Sequence, residues 1–181
     1  MADDPLSGPV ELAWAREHVA ALGREAYLER YPCPGLLLTL KDGSGRREAA
    51  RSVSTDSSSR RSVTYKGMQR GGSGDSFGLV LVKKRPGNTL LPLMITVGRD
   101  RKADISLNFS TISKTHAFFY AVGSSWVVVD AGSSNGTFVE GLKLTAREPY
   151  TLSGGQTIHF GFDVSAVFLP VDELLGYLFE S

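Results

Sequence analysis

The chain has 181 residues, enough for one ordinary domain with appendages, and its 41% hydrophobic and 22% charged residues are a normal globular composition. A formal net charge of +1 argues against a protein drawn to nucleic acid or an anionic membrane by its overall field. The single cysteine, Cys33, excludes an internal disulfide and lacks the paired spacing of a zinc site. We expect no metal and no cofactor. The N-terminus lacks a signal-peptide pattern and no run reaches the ~20 apolar residues of a membrane span, which indicates a cytoplasmic protein.

Residues 1–35 are predicted to carry an amphipathic helix. Between residues 9 and 31, apolar side chains recur every three or four positions, which places them on one helical face. The pattern is too short for a coiled coil, so docking on the main domain is favoured, while self-association through this helix is the alternative. The apolar positions are Leu12, Ala15, Val19, Leu22 and Ala26.

Residues 36–76 are predicted to be a Ser/Gly/Arg-rich linker or long loop. They begin with LLLTL, a candidate buried strand over residues 36–40, and then lose apolar periodicity. Residues 41–76 hold eight Lys and Arg against four acids, a local net charge of +4. Because aromatic residues do not alternate with the basic ones, the pattern favours a solvated tether over contact with nucleic acid.

Residues 77–170 change to short β-rich runs separated by Gly, Ser, Asn and Pro. Many short strands at close spacing, without a helical period between them, predict a mainly β fold built as an antiparallel sandwich or barrel. Residues 171–181 carry enough leucines for a short C-terminal helix. The β-rich runs are FGLVLVKK, LMITVG, HAFFYAV, WVVVDA, TFVEG, PYTL, TIHFG and VSAVFLP.

Two loops between these runs concentrate donors suited to a phosphate. SKTHA follows residue 112 and SSNGTFVEG follows residue 132, while a Gly-Arg pair, Gly98 and Arg99, ends an earlier strand. A phosphate monoester carries roughly −1.5 to −2 charges and several acceptors, so it suits guanidinium, ammonium, hydroxyl and backbone N–H donors held together. Asn135-Gly136 also suits a tight turn with positive φ, so this pair predicts a hairpin turn as well as a ligand contact.

In their order and spacing, Gly-Arg, Ser-x-x-His and Ser-Ser-Asn-Gly-Thr resemble the forkhead-associated (FHA) domain family. The resemblance covers about residues 77–170 and implies a twisted antiparallel sandwich of two sheets that binds phosphothreonine peptides through loops at one end. It implies a non-enzymatic module that acts downstream of a Ser/Thr protein kinase, whose partner is a phosphothreonine-containing protein or peptide.

The resemblance also implies roles for individual residues. Arg99 would hold the phosphate, Ser113 would hydrogen-bond to it, and Lys114 would supply a further phosphate contact. Ser134 and Asn135 would line the site beside the threonine, with Asn135 binding the peptide backbone. Four residues would support the binding loops, namely Gly98, His116, Gly136 and Thr137.

The chain departs from the family pattern at three places. Glu140-Gly141 stands where the family often has Asn-Gly, and residues 154–156 read Gly-Gly-Gln in place of Asp-Gly-Asp. Lys114 replaces the commoner arginine, and because an ammonium lacks the bidentate geometry of a guanidinium, we expect a weaker phosphate contact.

Three further hypotheses come from the sequence. The sandwich could be an assembly module that binds a partner without phosphate. A hydrolase is suggested only by Gly74-Asp75-Ser76, for which no His/Asp pattern offers support. Thr55 and Thr64 follow arginines in the loose repeats RSVST and RSVTY, so they are candidate phosphosites, and a flexible tether could bring either to a binding site on the same chain or on a second copy.

Overall fold

The computed structural model describes residues 4–6, 8–40, 76–89 and 91–179. Thr55, Thr64 and Gly74-Asp75 therefore lie outside the described residues. Within these ranges the chain is mostly β, with helices before and after the strands, as predicted. In chain order the elements are β1 (Val10–Glu11), α1 (Leu12–Leu22), α2 (Arg24–Arg30), β2 (Gly35–Leu40), β3 (Ser76–Leu81), β4 (Ile95–Gly98), β5 (Ile105–Ser106), β6 (Ala117–Val122), β7 (Ser125–Asp130), β8 (Thr137–Val139), β9 (Leu142–Lys143), β10 (Pro149–Leu152), β11 (Thr157–Phe160), β12 (Val164–Leu169) and α3 (Val171–Phe179).

The strands form two sheets that pack face to face. In the described residues, one sheet has seven strands in the order β1-β3-β2-β12-β11-β8-β9, and the other has five in the order β10-β7-β6-β4-β5. Neighbouring strands are antiparallel, except that β4 and β5 pair in parallel. Apolar side chains from both sheets, including Leu38, Phe119 and Phe160, fill one continuous core between them.

Strand β2 lies in the middle of the larger sheet, between β3 and β12, although the sequence analysis placed its residues ahead of the sandwich. Leu36 and Leu38 point into the core between the sheets, because alternate residues of a strand face the same side of a sheet. Leu79 and Leu81 of β3 face outward, into a second apolar cluster. The sheet is therefore buried on both faces, which explains why LLLTL lacks polar alternation.

One end of the larger sheet is a row of paired residues. Leu40 lies opposite both Ser76 and Val164, Val164 lies opposite Phe160, and Phe160 lies opposite Thr137. Strand β8 begins at Thr137, directly after the loop that contains the Ser-Ser-Asn-Gly motif. The last residue of β2 and the first residue of β3 therefore lie at the same end of the sheet as that loop.

The N-terminal helix is divided in two, which differs from the single periodic pattern over residues 9–31. Gly23 has φ 84° and ψ 154°, so α1 ends there and α2 begins at the next residue. The break changes the direction of the second segment. As a result Ala26, predicted on the apolar face, is exposed, and Tyr27 is fully buried instead.

Helices α1 and α3 cover the outer face of the larger sheet. Ala15 and Val19 of α1 pack with Leu174 and Leu178 of α3 in the second apolar cluster, where Leu79 of β3 also lies. This arrangement is the docking that the sequence analysis favoured. No helix among the described residues is long and apolar enough to cross a membrane.

Candidate functional site

Three loops meet at one end of the sandwich. The loop after β4 begins at Arg99, whose backbone N–H donates to the Ser113 carbonyl oxygen at 2.9 Å. The loop before β6 contains Ser113, and its hydroxyl oxygen accepts the N–H of Ser134 at 3.0 Å. The loop before β8 contains Ser134. The structure thus brings the motifs around Arg99, Ser113 and Ser134 into direct contact, although up to 35 residues separate them in sequence.

Gly98 allows the first two loops to approach each other closely. A Cβ added at this position would overlap the Lys114 carbonyl oxygen and lie 3.1 Å from that of Ser113. Its own carbonyl oxygen accepts the N–H of Leu107 at 2.8 Å. A side chain here would push the Arg99 loop away from the Ser113 loop, so close backbone approach explains the glycine.

The two predicted cations project from this junction. The side chains of Arg99 and Lys114 are exposed, and among the described residues neither forms an ion pair with a carboxylate. Ser113 is half-buried beside them, with its hydroxyl oxygen 3.5 Å from that of Ser134. A guanidinium, an ammonium and two hydroxyls on neighbouring loops form a set of donors that an anion could bind.

Asn135 is held in place by the neighbouring loop. Its side-chain amide donates to the Thr111 carbonyl oxygen at 2.7 Å, which leaves a second N–H and the amide oxygen for other contacts. Asn135 does not have a positive φ, whereas Gly136 has φ 83°. The predicted turn with positive φ at the Asn-Gly pair is therefore wrong for Asn135, and it is Glu140 and Gly141, with φ 50° and 79°, that form the two-residue turn between β8 and β9.

His116 is completely buried beneath the loops. Its Nδ1 accepts the backbone N–H of Ser113 at 3.2 Å, so Nε2 carries the proton and donates to the Gly136 carbonyl oxygen at 3.1 Å. Burial lowers the pKa of His116 below its usual value, against the opposing effects of the Gly136 hydrogen bond and the Asp130 charge. A neutral imidazole with both nitrogens engaged links two loops and has no nitrogen left for proton transfer to a ligand.

The carboxylate of Asp130 organises the loop before β8. Its Oδ1 accepts the N–H groups of Gly132 and Ser133, each at 2.9 Å, and its Oδ2 accepts the hydroxyls of Ser133 and Thr137, each at 2.6 Å. Burial alone would raise the pKa of Asp130, but the hydrogen bonds from Ser133, Thr137 and Gly132 lower it below its usual value. The carboxylate therefore stays ionised and shapes the turn that presents Ser134 and Asn135.

Sequence reasoning did not include Asp130 or Thr111 among the site residues. A local signal existed for Asp130, since Asp-x-Gly-Ser after a strand is typical of an Asx turn. Thr111 contributes through its carbonyl oxygen, which any residue type could provide. Its hydroxyl donates to Asp163 at 2.7 Å, which ties this loop to the β11–β12 turn. No sequence pattern indicates that pairing.

The structure is thus a β-sandwich whose loops are joined by hydrogen bonds. These loops carry a group of exposed cationic and hydroxyl side chains. The FHA domain family model matches residues 95–161, from the start of β4 to the residue after β11. Residues 95–161 of this chain therefore match the FHA domain family, as the motifs in the sequence predicted. Among the described residues no group of three His, Cys, Asp or Glu side chains is placed to hold a metal ion.

Two relatives are named as regulators. The chain is 36% identical over 91 residues to the oxoglutarate dehydrogenase inhibitor of Corynebacterium diphtheriae, a match that covers 46% of this chain and 59% of the relative. It is 38% identical over 69 residues to the glycogen accumulation regulator GarA of Mycolicibacterium smegmatis, covering 36% of this chain and 40% of the relative. The matches thus span between two fifths and three fifths of these relatives' length.

Two of the solved structures similar to this chain are FHA domains. One is an FHA domain of a hypothetical protein from Arabidopsis thaliana, at 30% identity and a TM-score of 0.42, covering 43% of this chain and 67% of that one. Another is the N-terminal FHA domain of S. cerevisiae Rad53p, solved in complex with a phosphothreonine peptide. It is 27% identical, with a TM-score of 0.41, and the match covers 46% of this chain and 73% of that one.

Proposed function

We propose that this chain is a non-enzymatic reader of phosphothreonine peptides that acts downstream of a Ser/Thr protein kinase. The observation that carries the proposal is the convergence of Arg99, Ser113 and Ser134 on three loops joined by hydrogen bonds of 2.9 and 3.0 Å. The match of residues 95–161 to the FHA domain family supports it, since the family resemblance implies phosphothreonine recognition. The regulator names of the relatives agree with a binding role.

In this proposal each site residue has a distinct task. Arg99 forms the bidentate contact with the phosphate, while Lys114 adds a point charge. The Ser113 hydroxyl accepts the Ser134 N–H and can donate its own proton to a phosphate oxygen. Asn135 uses its second amide N–H and its amide oxygen to pair with the peptide backbone beside the phosphorylated residue.

Rigid loops make such a site effective. His116, Asp130 and Gly98 hold the loops through contacts inside the protein, so few rotamers have to be ordered when a peptide binds. Lower ordering cost leaves more of the interaction energy available as affinity. An assembly module that binds without phosphate is the weaker explanation, because it gives no role to Arg99 and Lys114.

The test is fluorescence polarisation with degenerate phosphothreonine, phosphoserine and unphosphorylated peptide libraries. Wild type is compared with Arg99→Ala and with Arg24→Ala, a matched change on the surface of α2. We expect binding that requires phosphate, falls at least about tenfold in Arg99→Ala and is unchanged in Arg24→Ala.

Two results would decide against the proposal. Equal binding of phosphorylated and unphosphorylated libraries would favour the assembly module. Binding that needs phosphate but survives Arg99→Ala would move the phosphate contact away from this site.

A preference for threonine over serine is expected to be about tenfold or more, because one methyl group in an apolar niche is worth about 1–3 kcal/mol.

A further inference from the structure

The solvent-facing side of helix α1 is poor in charge. Five residues of this helix are exposed, and Glu17 is the charged one among them. A helix with one side in water typically carries charged and polar side chains on that side. We call these five residues the α1 outer face: Ala13, Trp14, Glu17, Ala20 and Ala21.

The neighbouring helix shows that this composition is not general for the helical layer. Helix α2 also exposes five residues, of which only Ala26 is uncharged; the other four are Arg24, Glu25, Glu29 and Arg30. The inner side of α1 is apolar as well, since Ala15 and Val19 belong to the second apolar cluster. A helix that is largely apolar on both sides is typical of one that is covered on both sides.

Trp14 is held in one position on the α1 outer face. Its ring stacks on the ring of His18, one turn further along the helix, with the centroids 4.9 Å apart and 9° between the planes. The side chain is still 39% exposed. Because stacking already restricts its rotamers, a partner that covers the ring has little side-chain entropy left to remove. Tryptophan is also one of the residue types that contribute most binding energy at interfaces.

The charges of α1 limit which partner fits this face. Arg16 is engaged on the side toward α3, where its Nη2 donates to the Tyr177 carbonyl oxygen at 3.0 Å and its guanidinium lies 4.7 Å from the centre of the Tyr177 ring. Among the described residues Glu17 forms no ion pair, and the half-buried His18 follows it directly. One carboxylate beside one imidazole is complementary to the same pair in reverse order, which a second copy of the chain supplies.

The shape of the face also fits a second copy. Trp14, Glu17 and Ala21 recur at spacings of three and four, so they lie on one stripe of the helix. If two α1 helices pack antiparallel about a two-fold axis level with the Glu17–His18 peptide bond, Trp14 lies opposite Ala21 of the second copy and Glu17 lies opposite its His18. The large side chain then meets the small one, and symmetry repeats each contact. A parallel pair would instead place Glu17 opposite Glu17, which is unfavourable.

We propose that the α1 outer face is the interface of a symmetric dimer, in which two α1 helices pack antiparallel with Trp14 over Ala21 of the second copy. The 11 residues of α1 span about 16 Å. The contact is therefore smaller than the usual ~800 Å² per partner, and we expect a weak dimer with a Kd of about 10–100 µM.

The dimer does not depend on the proposed function. Helix α1 covers the outer face of the larger sheet, whereas Arg99 and Ser113 lie on loops at one end of the sandwich. Both copies therefore keep these loops accessible, and the dimer and the phosphopeptide site are tested separately.

The experiment is sedimentation equilibrium of the full chain from about 5 to 500 µM. Ala21→Arg places a long charged side chain where Trp14 of the second copy lies, and Trp14→Ala removes the ring. Two matched controls are Ala26→Arg, at an exposed alanine of α2, and Leu93→Ala, at an exposed leucine between β3 and β4. Urea unfolding at about 1 µM, where wild type is monomeric, shows whether each variant is folded.

A further pair of variants tests the contact between Trp14 and Ala21 itself. Ala21→Trp alone sets two large rings opposite each other. The double variant Trp14→Ala/Ala21→Trp exchanges the large and the small side chain, so each ring again faces an alanine. Recovery of the dimer in the double variant is specific to the antiparallel pairing, because a merely structural effect of either change would not be reversed by the other.

We expect wild type to dimerise within the concentration range. Ala21→Arg, Trp14→Ala and Ala21→Trp should each raise the Kd about tenfold or more. The exchange Trp14→Ala/Ala21→Trp should bring the Kd back to within about threefold of wild type, and Ala26→Arg and Leu93→Ala should stay within about twofold.

Three outcomes would overturn the inference. A wild-type chain that is monomeric at about 500 µM does not form this dimer. A dimer that persists in folded Ala21→Arg and Trp14→Ala uses another surface. If the single changes weaken the dimer but the exchange variant does not restore it, Trp14 does not pair with Ala21 and the antiparallel arrangement is wrong.

Discussion

The Nε2 atom of His116 lies 3.1 Å from the carbonyl oxygen of Gly136, while Nδ1 of the same ring accepts the N–H of Ser113. One buried imidazole therefore joins the loop before β6 to the loop before β8. Only the neutral ring can make both contacts, because a protonated Nδ1 could not accept a hydrogen bond.

This arrangement predicts an acid-sensitive stability. Because the pKa of His116 is lowered on folding, the unfolded chain binds a proton more readily, and the stabilising contribution is fully present only above the unfolded pKa of about 6.5. Stability should fall as pH decreases from about 6.5 toward the folded pKa, by at most about 1.4 kcal/mol per unit. Urea unfolding between pH 5 and 7.5 measures it.

The matched variants for this experiment are His116→Gln and His18→Gln, of which the second lies on α1 away from the loops. His116→Gln should be less stable at pH 7.5 and should have a flatter pH profile than wild type. His18→Gln should keep the wild-type slope. If the pH dependence of stability is unchanged in His116→Gln, the proton binds to another group.

Replacing Asp130 should loosen the loop that carries Ser134 and Asn135. In Asp130→Asn the new NH₂ group cannot accept the hydrogen bonds that one carboxylate oxygen now receives, so we expect a loss of about 2–3 kcal/mol in the free energy of unfolding. Chemical denaturation measures the loss, and Asp172→Asn, on the exposed side of α3, is the control. Equal stability of the two variants would contradict the role given to Asp130.

Gly98→Ala should separate the Arg99 and Ser113 loops. The added Cβ overlaps the Lys114 carbonyl oxygen, a backbone atom that cannot rotate away, and overpacking of this kind costs about 1–3 kcal/mol. If the proposed function is correct, phosphopeptide affinity should fall together with thermal stability. Gly8→Ala provides the comparison, since its Cβ would meet nothing within 4 Å, and both properties should be unchanged there.

Arg147→Gly should stabilise the protein. Arg147 has φ 67°, a left-handed conformation that costs a residue with a Cβ about 1–2 kcal/mol, and its side chain is exposed. After the greater chain entropy of glycine is subtracted, we expect a gain of about 0.5–1 kcal/mol. Glu148→Gly, at the exposed neighbouring position without positive φ, should instead lose stability. Differential scanning calorimetry of both variants distinguishes the two effects.

Leu174→Ala should weaken the helical layer without changing the loops that carry Arg99 and Ser113. Leu174 is fully buried between α3 and the larger sheet, and comparable truncations cost about 2–5 kcal/mol. We expect a lower urea midpoint and phosphopeptide affinity within about twofold of wild type, measured well below that midpoint. A large loss of affinity in the folded variant would show that the helices and the site are coupled.

The sequence predicted those parts of the fold that depend on local pattern. The eight β-rich runs after residue 76 all contain strands, and the helices at both ends are present, because alternation and helical periodicity are local signals. The break at Gly23 was not predicted, since the apolar period continues across it. The neighbours of β2 were not predicted either, because strand pairing between residues 35–40 and 164–169 depends on contacts far apart in sequence.

For the candidate site, the motifs indicated the exposed donors on the loops and four residues that would support those loops, but they did not indicate Asp130. Arg99, Ser113 and Asn135 belong to recognisable motifs. Asp130 acts through hydrogen bonds from Gly132, Ser133 and Thr137, and this set of bonds exists only once the chain is folded. The role of this buried carboxylate is therefore found from the structure, although Asp130 lies within a few residues of a motif.

The pairing of Leu40 with Ser76 has a consequence for the chain between them. These residues are directly opposite each other on adjacent strands, so their Cα atoms lie about 4.5–5.5 Å apart. Strands β2 and β3 are antiparallel neighbours, and doubling the length of a connection between two chain positions this close costs only about 0.6 kcal/mol. The sandwich therefore does not dictate how long this insertion is, and both of its anchor points stand in the same row as Thr137, next to the loop that presents Asn135.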